Sequence, residues 1–308
     1  EMILSRYSSY LSAEDVRSRC PDLVLYFGDR IVSEPLREYL DHAQASTIQF
    51  ASHQGRQDGV ENEFLRINRR YVVDPLIAAS ALERECQPSG SGRPFFLSLK
   101  EKEEQSDSSI RGLFSRTERS KVLSEGEVVQ EVFANIERGS SVYIAPSLLL
   151  REAEYFSGSV NRDVIVGANR GSNGIDGVLS SGLGFATALQ RPLTVLIGDQ
   201  AMLHDLNALA HINTASRPCH IFIFNNSGGA IFNVFKLGES NAVLENPHDF
   251  SFKDAASMFG LAYRAPESIE ALNATWLEDR KAGRSSIFEI VCDGSESVSV
   301  FKASEFRN

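Results

Sequence analysis

Between residues 140 and 291 the chain lays down five short runs that are apolar at nearly every position: "SSVYIA", "DVIVGA", "PLTVLIG", "CHIFIFNN" and "SSIFEIV". A strand with one wet face alternates apolar and polar residues; a strand apolar throughout belongs in a parallel sheet covered by helices on both faces. Helical patterns fall between these runs, in "PSLLLREAEYF", "NRGSNGIDGVLSSGLGFATAL", "DQAMLHDLNALAHI" and a late helix from about Ser268. That is βαβ punctuation. The first hundred residues repeat the rhythm more weakly. "DLVLYFG" leads to a helical stretch from Ser33, "STIQFA" follows, "RRYVVD" precedes an Ala-rich helix, and "RPFFLSL" reads as a further strand. "EKEEQSDSSIRGLFSRTER", from Glu101 to Arg119, is charged and Ser-rich and reads as a linker. A fresh helix begins after Ser124, an N-cap with Glu127 three residues on, and Val128, Val129, Val132, Phe133 and Ile136 fit one helical face. The expectation is an α/β chain of two domains, residues 1–110 and 111–308, each a mainly parallel sheet flanked by helices.

Charge narrows the partners. A net charge of -10 argues against a nucleic-acid surface, where a basic patch is expected. No apolar run reaches the ~20 residues of a membrane span. Cys20, Cys86, Cys219 and Cys292 form no CxxC pair and read as reduced thiols of an intracellular compartment. The opening "EMILSRYSSYLSAEDVRSRC" has no secretory pattern, and its start at Glu suggests a processed or excised piece.

In such sheets ligands bind beyond the carboxyl ends of the strands. There "PLTVLIG" stops at Asp199, read as an exposed acid, and "CHIFIF" stops at Asn225-Asn226 followed by Gly228 and Gly229. An Asp carboxylate, an Asn carbonyl and a backbone carbonyl offer Mg²⁺ (or Mn²⁺) three hard oxygens, and a diphosphate completes the shell. The helix after Asp199 adds free N–H groups that favour an anion. A helix cap and a plain turn would account for either piece alone; two successive strand ends carrying both favour a metal–diphosphate site.

"GDQ…NN" resembles the thiamine-diphosphate motif, with Gln200 where many relatives carry Gly. "ANRGSNGIDGVLSSGLGFA" (Ala168 to Ala186), "HDLNAL" and "NNSGGAIF" are similar to the MenD family of synthases, closely over the second half of the chain. The likeness extends more weakly to "PDLVLYFGDRIVSEPL", which resembles that family's middle domain. The resemblance implies thiamine diphosphate and Mg²⁺ as cofactors, held by Gly198, Asp199, Asn226 and Gly228, with Asp199, Asn226 and the Gly228 carbonyl on the metal. Ile175 would be the apolar wedge under the bent cofactor. Ser147, Arg151 and Arg170 would serve the carboxylates of two dianionic substrates, 2-oxoglutarate and isochorismate, for which the guanidinium fork is suited. Ile231 and Phe232 would line the pocket. Helix packing, a solvated helix face for Arg151 and an ion pair of Arg170 with Asp176 are the plainer readings of these positions.

Two positions depart from the family: Pro146 where some members have Asn, and Glu34 where many have Lys. The family's activating glutamate belongs to an N-terminal pyrimidine-binding domain, so the resemblance implies that this chain lacks it and is inactive alone. The whole enzyme would decarboxylate 2-oxoglutarate and add the resulting carbanion to isochorismate in menaquinone or phylloquinone biosynthesis. It would work as a homo-oligomer in the cytoplasm, or in the plastid stroma of a photosynthetic eukaryote. Another thiamine-diphosphate carboligase of the acetolactate-synthase kind, and a non-catalytic subunit keeping the fold, are the alternatives. A nicotinamide site at "GLGFAT" is disfavoured because it follows helical sequence rather than a strand. His204, His211 and His220 are expected to be structural.

Overall fold

The computed structural model describes residues 4–11, 20–28, 31, 33–52, 67–86, 93–114, 122–160, 163–169, 174–234 and 241–304. They fall into two compact units, one within residues 1–108 and one within 109–304. Each unit carries a parallel sheet flanked by helices, so the fold is α/β as expected.

The first unit runs α1 (Tyr7–Tyr10), β1 (Leu23–Phe27), α2 (Glu34–Ala43), β2 (Ser46–Ala51), β3 (Arg69–Val72), α3 (Pro75–Glu85) and into α4 (Arg93–Phe114). Its three strands are parallel in the order β1-β2-β3. Local chemistry starts the helices. Ser33 Oγ accepts the Leu36 N–H at 3.1 Å with Pro35 behind it, and Asp74 Oδ1 accepts the Leu76 N–H at 2.8 Å with Pro75 opening α3. Tyr10, Leu11 and Tyr39 form a small core with Leu36, Leu40 and Leu99. Glu34 faces solvent beside Arg37 at 3.6 Å.

The expected strand "RPFFLSL" is helical instead, and so is the expected linker from Glu101 as far as Phe114, the rest of that stretch, 115–119, lying outside the described residues: residues 93–114 form one helix of 22 residues. Its inward stripe runs through Leu99, Glu103, Ser106, Ile110 and Leu113, a 4-3-4-3 helical spacing. Two of those positions are polar, so the apolar periodicity is broken in the sequence. Hydrogen bonds replace it, as Glu103 Oε1 accepts the Ser5 N–H at 2.6 Å and the Arg6 N–H at 2.9 Å.

The second unit continues with α5 (Glu125–Asn135), β4 (Ser141–Ile144), α6 (Leu148–Phe156), β5 (Ile165–Ala168), α7 (Val178–Leu189), β6 (Leu193–Gly198) and α8 (Asp199–His204). After a 3-10 stretch at Leu206–Thr214 come β7 (Cys219–Asn225), a 3-10 turn at Ala230–Asn233, α9 (Asn241–Glu245), α10 (Lys253–Met258), β8 (Ala262–Arg264), α11 (Ile269–Lys281), β9 (Ser286–Val291) and α12 (Gly294–Ala303). Six parallel strands lie in the order β5-β4-β6-β7-β9-β8. All seven residues of β7 are buried. One of its faces packs Ile221 and Ile223 into the cluster holding Leu179, Val195, Ile197 and Met202. On the other, Phe222 stacks on Phe288 at 4.8 Å between centroids and meets the edge of Trp276 at 5.1 Å. Burying one such side chain is worth about 1.5–3 kcal/mol. "GLGFAT" lies inside α7, away from any strand end.

Chain order fixes where a ligand can sit. From β4 the chain crosses to β5 on one side, then returns to β6 on the other side of β4. The crevice between the carboxyl ends of β4 and β6 is therefore the switch point of the sheet.

Candidate metal and diphosphate site

That crevice is lined by Pro146 and Ser147 after β4, Gly198 at the end of β6 and Asp199 just after it, Asn226, Gly228 and Gly229 after β7, with Glu125, Ile175 and Ile231 around them. The cavity measures about 60 Å³. A wider polar hollow of about 320 Å³ adjoins it, sharing Asn226, Gly228 and Gly229 and adding Cys292 and Asp293.

Asp199 is not exposed, as its place at a strand end suggested; it is 2% exposed. The turn after β7 closes over it. Asp199 Oδ2 accepts the Gly228 N–H at 2.9 Å, and Oδ1 accepts the Gln200 N–H. Burial pushes the carboxyl above its ordinary range, and these two N–H groups with His248 draw it part of the way back. The Phe250 N–H donates to His248 Nδ1 at 3.2 Å, and His248 Nε2 stands 3.3 Å from Asp199 Oδ2. α8 is only six residues long before the 3-10 stretch takes over, and Asp199 already answers the Gln200 N–H of its first turn.

Gly228 adopts φ +148, and a Cβ there would stand 2.5 Å from the Glu245 carbonyl oxygen. Only glycine fits. The carbonyl of Gly228 accepts the Ala230 N–H at 3.1 Å. Gln200 fastens the following segment in both directions: Nε2 donates to the Asn246 carbonyl at 3.1 Å and Oε1 accepts from Asn246 Nδ2 at 2.9 Å.

The paired asparagines do different things. Asn225 Nδ2 donates to Glu289 Oε1 at 2.7 Å, while Asn225 Oδ1 accepts the Ser227 N–H at 3.2 Å. Glu289 Oε2 also takes Ser251 Oγ, the Phe252 N–H and Tyr263 Oη at 2.9, 3.0 and 2.7 Å. Asn226 instead donates from Nδ2 to Glu125 Oε1 at 2.6 Å, and its Oδ1 is buried without a hydrogen-bond partner. A buried acceptor left unpaired costs about 1–3 kcal/mol, which a cation in the cavity would offset. Behind Glu125 lies Glu152, also fully buried; burial and the Glu125 carboxyl hold it well above the ordinary carboxylate range.

The donor set suits a hard cation: one carboxylate, one carboxamide oxygen and backbone carbonyls beside a polar hollow. Among the described residues no group of three or more His, Cys, Asp and Glu forms a metal site, so a metal here needs oxygens from a ligand as well.

Of the other expected residues, Ser147, Ile175, Gly198 and Ile231 line the crevice, and Ile175 also packs against the core cluster. Ser147 takes φ 83 and ψ -139, a conformation that side chains other than glycine rarely hold. Arg151 is half-buried, and its Nη1 donates to the Ser147 carbonyl at 2.8 Å. Phe232 is half-buried beside Gly229. Arg170 lies outside the described residues. The sequence reading missed Glu125, Glu152, His248 and Glu289. Glu125 directly follows the N-cap of α5, where an acid reads as helix-terminal charge, and "NPHDF" carries no local signal for His248. His220 is structural as expected, buried in β7 with Nδ1 at 2.9 Å from Ser286 Oγ.

No protein-family model matches the chain. Curated relatives do. A 2-succinyl-5-enolpyruvyl-6-hydroxy-3-cyclohexene-1-carboxylate synthase of Chlorobium luteolum is 32% identical over 298 residues, covering 93% of this chain and 48% of its own length. The synthase of that name from Rubrobacter xylanophilus is 32% identical over 295 residues, 92% of this chain and 49% of its own length. That of Bacillus pumilus is 27% identical over 305 residues, 97% of this chain and 51% of its own length. The chain spans about half the length of the relatives it matches, and over nearly its whole length it is similar to that half of these synthases, the MenD family.

Proposed function

We propose that the second unit is the diphosphate-binding domain of a thiamine-diphosphate-dependent MenD-type synthase, and that the first unit is part of that enzyme's middle domain. The observation that carries this reading is Asn226 Oδ1, buried and unpartnered in the crevice that Asp199 and Gly228 share. Asp199, Asn226 and the Gly228 carbonyl would hold Mg²⁺, with Gly198 at the diphosphate and Ile175 beneath the bent cofactor.

Thiamine diphosphate, when bound, supplies the electron sink for decarboxylating 2-oxoglutarate and joining the remaining unit to isochorismate, a step of menaquinone biosynthesis. The chain's own residues bind and orient. Asp199 stays fixed by the Gly228 and Gln200 N–H groups, so its carboxylate geometry is set before a metal arrives. Ser147 and Arg151, joined through the Ser147 carbonyl, would form the polar side of the substrate pocket with Arg170. Ile231 and Phe232 would form its apolar side. The activating glutamate would come from a pyrimidine-binding domain in the half of the enzyme that the matched relatives have beyond these residues, within an oligomeric enzyme.

Calorimetric titration of Mg²⁺ with thiamine diphosphate tests the reading. The parent chain is expected to bind and the Asn226→Ala variant to lose most of that affinity. Equal affinity in both would reject the metal assignment.

A further inference from the structure

The two ends of a carboxamide match in shape and oppose in polarity, and only the oxygen can hold a cation. An asparagine ligand therefore depends on something other than the metal to decide which end faces the site. In this chain Asn226 Nδ2 is committed to Glu125 Oε1 at 2.6 Å, and Oδ1 is left in the crevice without a partner. Glu125 comes from the first turn of α5, 101 residues away in sequence, and is 1% exposed. It also lines the crevice. In this arrangement Glu125 Oε1 is the acceptor and takes the NH₂ end, which leaves the oxygen end free of it.

We propose that Glu125 is a positioning residue for the metal site, holding the Asn226 carboxamide with its oxygen turned toward the space bounded by Asp199 and Gly228. This rests on the reading of the crevice as a divalent-cation site. Groups behind a metal ligand typically change metal affinity by 10–100-fold when removed. A structural role alone, in which Asn226 merely satisfies a buried acid, would leave metal affinity to follow overall stability.

The test is Mn²⁺ binding by the 308-residue chain in the presence of thiamine diphosphate, read by the electron paramagnetic resonance of free Mn²⁺, with a thermal melt of each variant. Glu125→Gln is expected to weaken Mn²⁺ binding about tenfold, because a glutamine can offer either end to Asn226. Asn226→Asp is expected to bind no better than Glu125→Gln, since it sets two carboxylates side by side in a buried place. The pair Glu125→Gln with Asn226→Asp is expected to return to within about threefold of the parent, the new amide donating to one aspartate oxygen and leaving the other for the metal. That recovery cannot come from variants that merely unfold. Parent-like affinity in Glu125→Gln, or losses that simply add in the double variant, overturns the positioning role. Parent-like affinity in Asn226→Ala, or a parent chain that binds no Mn²⁺, overturns the cation-site reading instead.

Discussion

Asp199 Oδ2 accepts the N–H of Gly228 at 2.9 Å, so the acid that ends β6 and the glycine of the turn after β7 are built as one piece. The bond spans 29 residues of sequence and brings both proposed metal ligands to the switch point of the sheet.

Breaking that bond from the acid side separates binding from folding. Asp199→Ala should abolish Mg²⁺-dependent binding of thiamine diphosphate by calorimetry, yet cost only about 1–3 kcal/mol of stability for the unpaired Gly228 N–H. Unchanged affinity would remove Asp199 from the site.

Breaking it from the glycine side does both at once. Gly228→Ala places a Cβ against the Glu245 carbonyl oxygen at 2.5 Å, at a φ of +148. Backbone has to move, so a loss of about 2 kcal/mol or more is expected, with the melting temperature down by roughly 5 °C or more. Metal binding should fail in the same variant. A melt within a degree of the parent would refute the close approach.

Ser147 offers the opposite experiment. At φ 83 and ψ -139 a glycine is relieved of strain that serine bears, so Ser147→Gly should raise stability by roughly 0.5–1 kcal/mol in urea titrations, whereas Ser147→Ala should not. If the hydroxyl serves a substrate carboxylate, the stabilised glycine variant of the whole enzyme should show a higher KM. A glycine variant less stable than the parent would count against strain at this residue.

Two buried groups predict opposite pH slopes. His220 has its pKa lowered from 6.5 to about 4, first by burial. Between those values the unfolded chain binds a proton that the folded chain does not, so stability falls as pH drops from 6.5 toward 4, by on the order of 3 kcal/mol. Glu152 is raised well above 4.5, first by burial and then by Glu125. Above pH 4.5 the folded chain keeps a proton that the unfolded chain releases, so this carboxyl lowers stability as pH rises toward its folded value. Melts from pH 4 to 8 should find the acid-side slope reduced in His220→Gln and the alkaline-side slope reduced in Glu152→Gln. Unaltered slopes would mean that other groups set the profile.

The strands of the second unit were legible because continuous apolar runs have few other uses, and Asp199 and Asn226 because polar residues at strand ends need a reason. β8 and α12 were not: three residues at a sheet edge and a helix of Ser, Glu and Val carry little pattern. α4 stayed hidden because Glu103 and Ser106 hold part of its inward stripe through hydrogen bonds rather than apolar contact. Long-range polar partners leave no local trace at all. Glu125 meets Asn226 across 101 residues, and Glu289 meets Asn225 across 64.

The doubled asparagine is two instruments under one letter. Asn225 answers to Glu289, whose single carboxylate gathers donors from β7, β8 and the segment between them, so a change there would be felt first as a loosened scaffold. Asn226 answers to the crevice, so a change there would be felt first as lost chemistry. Drift at the two positions should therefore be judged by different referees. A substitution tolerated at Asn225 in a stabilised background would still be refused at Asn226 if the proposed cation site holds, because no gain in stability replaces an oxygen turned toward that site.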